Sequence, residues 1–159
     1  LVDVSVRDSY IRQQGGMRAS MLGLYTLTDQ AGTPELNQGA LQRFLGEAVW
    51  FPTALLPSET VTWTARDDRS ARVSIRDGEA EVGLVFEFEP GGFVTSMHGD
   101  RYKEDNGRYS LQPWTIACDD YQERGGMLIP LHCEVAWMKD GRGVPYWRGR
   151  ISSVSYRYN

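Results

Sequence analysis

Two cysteines and two histidines are all that this 159-residue chain contains. So few cysteines cannot build a disulfide framework, and no short-spaced His/Cys cluster offers the convergent ligands of a zinc site. No cofactor and no metal are implied. No apolar run approaches the roughly eighteen residues of a membrane span, and no basic-then-apolar leader opens the chain. Positive charge is not in excess: 17 Lys and Arg stand against 21 Asp and Glu, a net charge of −4. Nucleic acid is therefore not an expected partner, because phosphate contacts need a basic face. Here the arginines are scattered among carboxylates, as in Arg66-Asp67-Asp68-Arg69. A phosphate loop, a dinucleotide fingerprint and a serine elbow are also missing. The glycines sit at turns, and neither Ser20 nor Ser110 has a motif around it.

What is present suits an ordinary globule. Hydrophobic residues make up 41% and charged ones 24%, and a chain this long buries roughly 70% of its unfolded surface without help from metals. Residues 1–159 are read as a single domain. Because "LVDVSVRD" begins inside a strand-like alternation and without Met, that domain is expected to lack upstream strands of a longer protein. The compartment stays open between envelope and cytoplasm.

Val2, Val4 and Val6 alternate with polar residues, the period-two mark of a strand. Gln14-Gly15-Gly16 reads as a turn, followed by a second extended stretch over 17–28. Asn37 is the expected cap of a helix in which Leu41, Phe44, Leu45, Ala48 and Val49 share one face. Pro52 should end it at about Phe51, with a short turn over 53–56. The rest alternates as strands, punctuated at Asp77-Gly78, Pro90-Gly91-Gly92, Asn106-Gly107, Gly125-Gly126 and Asp140-Gly141. The last strand is placed over 144–158, with Tyr156 and Tyr158 on one face. Tight turns between strands give an antiparallel meander. The expected fold is α+β: a curved antiparallel sheet, a half-barrel, packed on one main helix.

Several segments together resemble the bacterial DUF6544/DUF6920 family of unknown function: "QGALQRFLGEAVWFPTALLP", "SARVSIRDG", "DRYKEDNGRYSLQPW", "IPLHCEVAW" and "YWRGRISSVSY". The likeness runs from about Val2 to Tyr156, and its most specific parts are Glu47 to Pro52, Arg101-Tyr102 and Pro113-Trp114. It implies a half-barrel clasping a helix, similar in architecture to lipoprotein carriers, and it implies no reaction. Members are usually longer, often with an anchoring stretch in front. The two cysteines depart from the family pattern.

Glu47, beside the apolar stripe, is open to two readings. Burial would raise its pKa and suit a general acid or base. A tether between helix and sheet, with Arg101 or Arg150 as first candidates for partner, is the preferred one. Trp50, Phe51, Trp114, Trp137 and Trp147 could line a cavity between helix and sheet or simply fill the core. The ligand-binding set is therefore Glu47, Trp50, Phe51, Arg101, Tyr102, Trp114 and Trp137. The leading function is a non-enzymatic module that binds a lipid or another apolar or amphipathic small molecule. The alternatives are an interaction domain that pairs with a protein partner through an edge strand, and an enzyme using Glu47. A Gly125-Gly126 hairpin would set Cys118 opposite Cys133. Two free thiols are preferred there over a strained cross-strand bridge. A nucleophile built on His98 and either cysteine has no supporting motif. Asp119-Asp120 and Glu104-Asp105 read as solvated rims.

Overall fold

The computed structural model describes residues 4–21 and 25–157, with residues 4–8, 17–21 and 25–30 described by backbone alone. Val2, Tyr158 and the side chain of Ser20 lie outside this description. The architecture is α+β, with one α-helix and two antiparallel sheets among the described residues. The first sheet comprises β1 (Val4–Ile11), β2 (Gln14–Met21) and β3 (Tyr25–Ala31) in sequence order. The second is a seven-stranded meander that remains open. Its strands are β4 (Val61–Asp67), β5 (Ser70–Asp77), β6 (Ala80–Phe88), β7 (Val94–Asp105), β8 (Arg108–Arg124), β9 (Met127–Lys139) and β10 (Arg142–Arg150), each paired with its sequence neighbour. Helix α1 (Pro34–Glu47) packs against β5, β6 and β7 of the large sheet and against β1 and β2 of the small one.

Local chemistry explains most of these boundaries. The hairpins at Asn106-Gly107, Gly125-Gly126 and Asp140-Gly141 each have two loop residues with positive φ. That is the turn whose twist matches the strands it joins. The first turn departs from expectation. It is Arg12-Gln13 (φ 51° and 69°), and Gly15 and Gly16 belong to β2. Close approach accounts for Gly15: a Cβ there would lie 2.5 Å from the Leu36 carbonyl oxygen and 2.9 Å from the Ala40 Cβ. The glycine admits the helix, not a turn. The stretch expected over 17–28 is likewise divided between β2 and β3.

The helix starts earlier than expected. Thr33 is its cap, accepting from Leu36 N–H at 3.2 Å, with Pro34 in the first turn, where its missing N–H is harmless. Asn37 sits inside the helix, and its Oδ1 accepts from the N–H of Gly15 at 2.8 Å. Short 3₁₀ turns at Ala48–Trp50 and Pro52–Leu55 follow, hinged at Phe51. The final strand ends at Arg150. Residues 151–157 form an irregular tail fastened where Ile151 N–H donates to the Leu131 carbonyl (2.8 Å) and the Tyr156 hydroxyl to the Trp50 carbonyl (2.6 Å).

The core lies between α1 and the large sheet, where Leu41 and Leu45 meet Val73, Leu84, Phe86, Met97 and Ile116. At the ends of the strand order the two edges differ. Both edge strands are mostly exposed and both carry a register shift, but β10 alone also carries a proline, Pro145, which blunts it further.

Candidate functional site

The described residues enclose a cleft of about 310 Å³ between the N-terminal half of α1 and the far ends of β7, β8 and β9. Leu36, Gly39, Ala40 and Arg43 form its helix wall; Arg101, Tyr102, Lys103, Tyr109 and Trp137 form the sheet wall. Glu35 and Glu104 lie at its rim, and Gly16 of β2 closes one end. The helix is thin here because Gly39 and Ala40 present almost no side chain. The Arg101 guanidinium fills part of that space, and its Nη2 donates to the Gly39 carbonyl at 3.2 Å. Its carbon stands 5.2 Å from the Trp114 ring centroid and 5.7 Å from that of Trp137. The two indoles and the carbonyl hold the cation without a covalent constraint. Lys103, two residues on and on the same strand face, places Nζ 5.6 Å from the Trp137 ring. Trp137 also stacks on Tyr146 at 5.9 Å, and Tyr146 is largely exposed. Burial, with the Glu104 charge second, pushes the Tyr109 phenol up.

Of the seven predicted site residues, Arg101, Tyr102 and Trp137 meet in this cleft. Trp114 lies beneath Arg101 but is only 2% exposed and belongs to the core, its Nε1–H donating to the Tyr146 hydroxyl at 3.0 Å. Trp50 and Phe51 are elsewhere. Trp50 donates to the Pro130 carbonyl at 3.1 Å and faces Trp147, while Phe51 packs on Phe44. Glu47 has a side chain 42% exposed, beside Arg43 at 3.4 Å, and is not among the cleft's lining residues. Arg150, one of its expected partners, instead pairs with Asp120 at 2.7 Å.

Sequence reasoning missed Arg43, Lys103 and Tyr109, and treated Glu104 as rim alone. Strand alternation from Arg101 could have found Lys103. Arg43 is one helical turn beyond Gly39, which only the packing makes significant.

The remaining candidates are dispersed. His132 Nδ1 contacts both Asp119 oxygens at 3.0 Å, and His98 lies 3.7 Å from Glu87. Met97 and Ile116 are register partners in the core. His98 and Thr115 therefore face the opposite side from Cys118, which removes the His98–cysteine nucleophile. Asp120 has a positive φ (56°), and hydrogen bonds from Gln122 and then Arg150 hold its carboxyl below the usual range. Cys118 and Cys133 are directly opposed, as the turn centre predicts, and both are free thiols with Sγ atoms 3.3 Å apart. Among the described residues no group of three or more His, Cys, Asp or Glu could hold a metal, and no helix is long and apolar enough to cross a membrane.

No curated protein and no solved structure matches the chain. The family model of DUF6920, a family of unknown function, matches residues 1–156, and the chain belongs to that family.

Proposed function

We propose that this protein is a non-enzymatic binding module whose cleft between α1 and β7–β9 takes an amphipathic small molecule with a singly anionic head. The observation that carries the reading is the pairing of cation and indole on one wall: Arg101 and Lys103 both lie over Trp137. A carboxylate or phosphodiester meets the two cations, while an apolar body runs along Trp137 and Tyr146. Head-group charge follows from the lining. Arg43 is paired with Glu47, and Glu35 and Glu104 stand against Arg101 and Lys103, so the cleft holds no surplus of positive charge to favour a multiply charged head. A multiply charged head would meet the glutamates. The volume stands at the lower end of the range for small-molecule sites, roughly 300–1,000 Å³, so the cleft accommodates a head and part of a chain, with the remainder lying on the exposed Tyr146 side.

Titration with dodecanoate below its micellar concentration, followed by tryptophan fluorescence, tests this. Saturable binding is expected. Lys103→Gln should weaken it several-fold, as loss of one partly exposed charge contact of about 1 kcal/mol implies. Uncharged dodecyl maltoside should bind less well than dodecanoate. Absence of saturable dodecanoate binding, or equal binding of both amphiphiles, would overturn the reading.

A further inference from the structure

We propose that Cys118 and Cys133 are a dithiol–disulfide site, closed by exchange with a small-molecule disulfide to form a cross-strand bridge between β8 and β9. The inference is independent of the ligand reading, since neither residue lines the cleft. The two residues are register partners in an antiparallel ladder. Opposed residues there have Cα atoms about 4.5–5.5 Å apart, inside the range of about 4.4–6.8 Å that a disulfide accepts. Their sulfurs already touch at 3.3 Å, so bond formation needs a closure of a little over an ångström. The side chains are 6% and 2% exposed and pack in the core cluster. Oxidation replaces two weakly polar thiols by an apolar bridge in the same space.

A route to the buried sulfurs is built into the strands. Immediately beyond the pair the ladder is defective. Asp120 has φ 56°, the Asp120/Leu131 pair is missing from a register that is otherwise continuous, and Pro130 has no N–H to donate. Opening the hairpin tip starts at a pair already missing from the ladder, releases the bonds that Trp50 and Ile151 make to the Pro130 and Leu131 carbonyls, and brings the thiols to solvent. In the closed state their mutual hydrogen bond and burial push the Cys118 thiol up, so exchange proceeds from the opened form.

The chemistry balances with a glutathione-type disulfide as oxidant. One cysteine loses its proton and attacks a sulfur of the oxidant, forming a mixed disulfide and releasing one small thiolate. The second loses its proton and attacks the protein sulfur of that mixed disulfide, releasing the other small thiolate. The protein dithiol gives up two electrons and two protons; the oxidant takes them up as two thiols.

The test uses the whole protein, fully reduced and then equilibrated under native conditions with a buffer of oxidised and reduced glutathione. It is next denatured with an alkylating reagent and weighed. A mass lower by two hydrogens, no alkyl label and a peptide joining residues 118 and 133 are expected. The melting temperature should rise by about 5–10 °C. Cys118→Ala and Cys133→Ala should each leave the remaining cysteine open to alkylation. The mass of the wild-type protein decides the matter even if both variants fold poorly. Two alkyl labels, stable glutathione adducts, or a bridge that forms only in denaturant would each overturn the proposal.

Discussion

At the residue scale, the positions with no side chain are the most constrained. Gly46, in the last turn of α1, faces the sheet, and a Cβ added there would run into the Ile116 Cδ1, with the Trp114 ring and Leu84 close behind. Alanine is the better helix former by about 1 kcal/mol, so propensity alone predicts that Gly46→Ala stabilises the protein. Packing predicts the reverse. Ile116 is 5% exposed and hemmed in by the core, and an extra methyl in a filled core costs about 1–3 kcal/mol. Packing should win, with a net loss of about 1 kcal/mol or more in urea unfolding. Adding Ile116→Val, which trims the obstructing methyl, should recover part of the loss. A stabilised Gly46→Ala protein would mean that the helix stands off the sheet.

At the element scale, α1 is held near its N-terminus by two different devices, and they should fail differently. Thr33 caps its first turn from an accessible position, and Thr33→Ala should cost about 1 kcal/mol. Asn37 acts between elements: its Oδ1 is the acceptor for the N–H of Gly15, a buried residue of β2. Asn37→Ala strands that donor and should cost about 1–3 kcal/mol. Hydrogen exchange separates the two, because the Gly15 amide should lose protection in Asn37→Ala and keep it in Thr33→Ala. Equal effects on Gly15 would refute the tie. The same two residues show where sequence ceases to be legible. Asn37 has the chemistry of a cap and Gly15-Gly16 that of a turn, and both spend that chemistry across space on one another's elements. By contrast, the meander of β4 to β10 could be read almost entirely, since each of its turns depends on residues adjacent in the chain. The cleft falls between these cases. Arg101, Tyr102 and Trp137 carry visible side chains on legible strands, whereas the opposite wall is made by Gly39 and Ala40, whose contribution is the room they leave. Trp50 and Phe51 drew attention by standing next to the helix end, and the 3₁₀ turns direct them away from the cleft.

At the scale of the whole molecule, α1 is clasped between two sheets, and the tail passes back over β9 so that Tyr156 ties to Trp50. Each layer hides a weak acid in its neutral form. In the small sheet, burial, then the nearby Asp77 carboxylate, pushes the Tyr10 phenol up to about 12. In the large sheet, burial first and the neighbouring cysteines next push Tyr121 up as well, while its hydroxyl donates to the Val94 carbonyl at 2.9 Å. The Cys118 thiol is raised by its hydrogen bond to Cys133 and by burial. A folded pKa above the unfolded one means that the native state retains protons the unfolded chain releases, so stability falls as pH rises. The unfolded thiol titrates near about 8.5 and the phenols near about 10. For the reduced protein, stability that is fully present at pH 7 should begin to fall above about pH 8.5 and fall faster above about pH 10. Tyr10 returns no further loss once the pH passes about 12. Urea midpoints measured at intervals from pH 7 to 11 check this against two variants. Cys118→Ala should delay the onset, and Tyr121→Phe should flatten the steeper part without moving the onset. Parallel curves for all three proteins would mean that the buried acids do not control alkaline stability. Formation of the Cys118–Cys133 bridge should also remove the earlier phase, because a disulfide has no proton to lose.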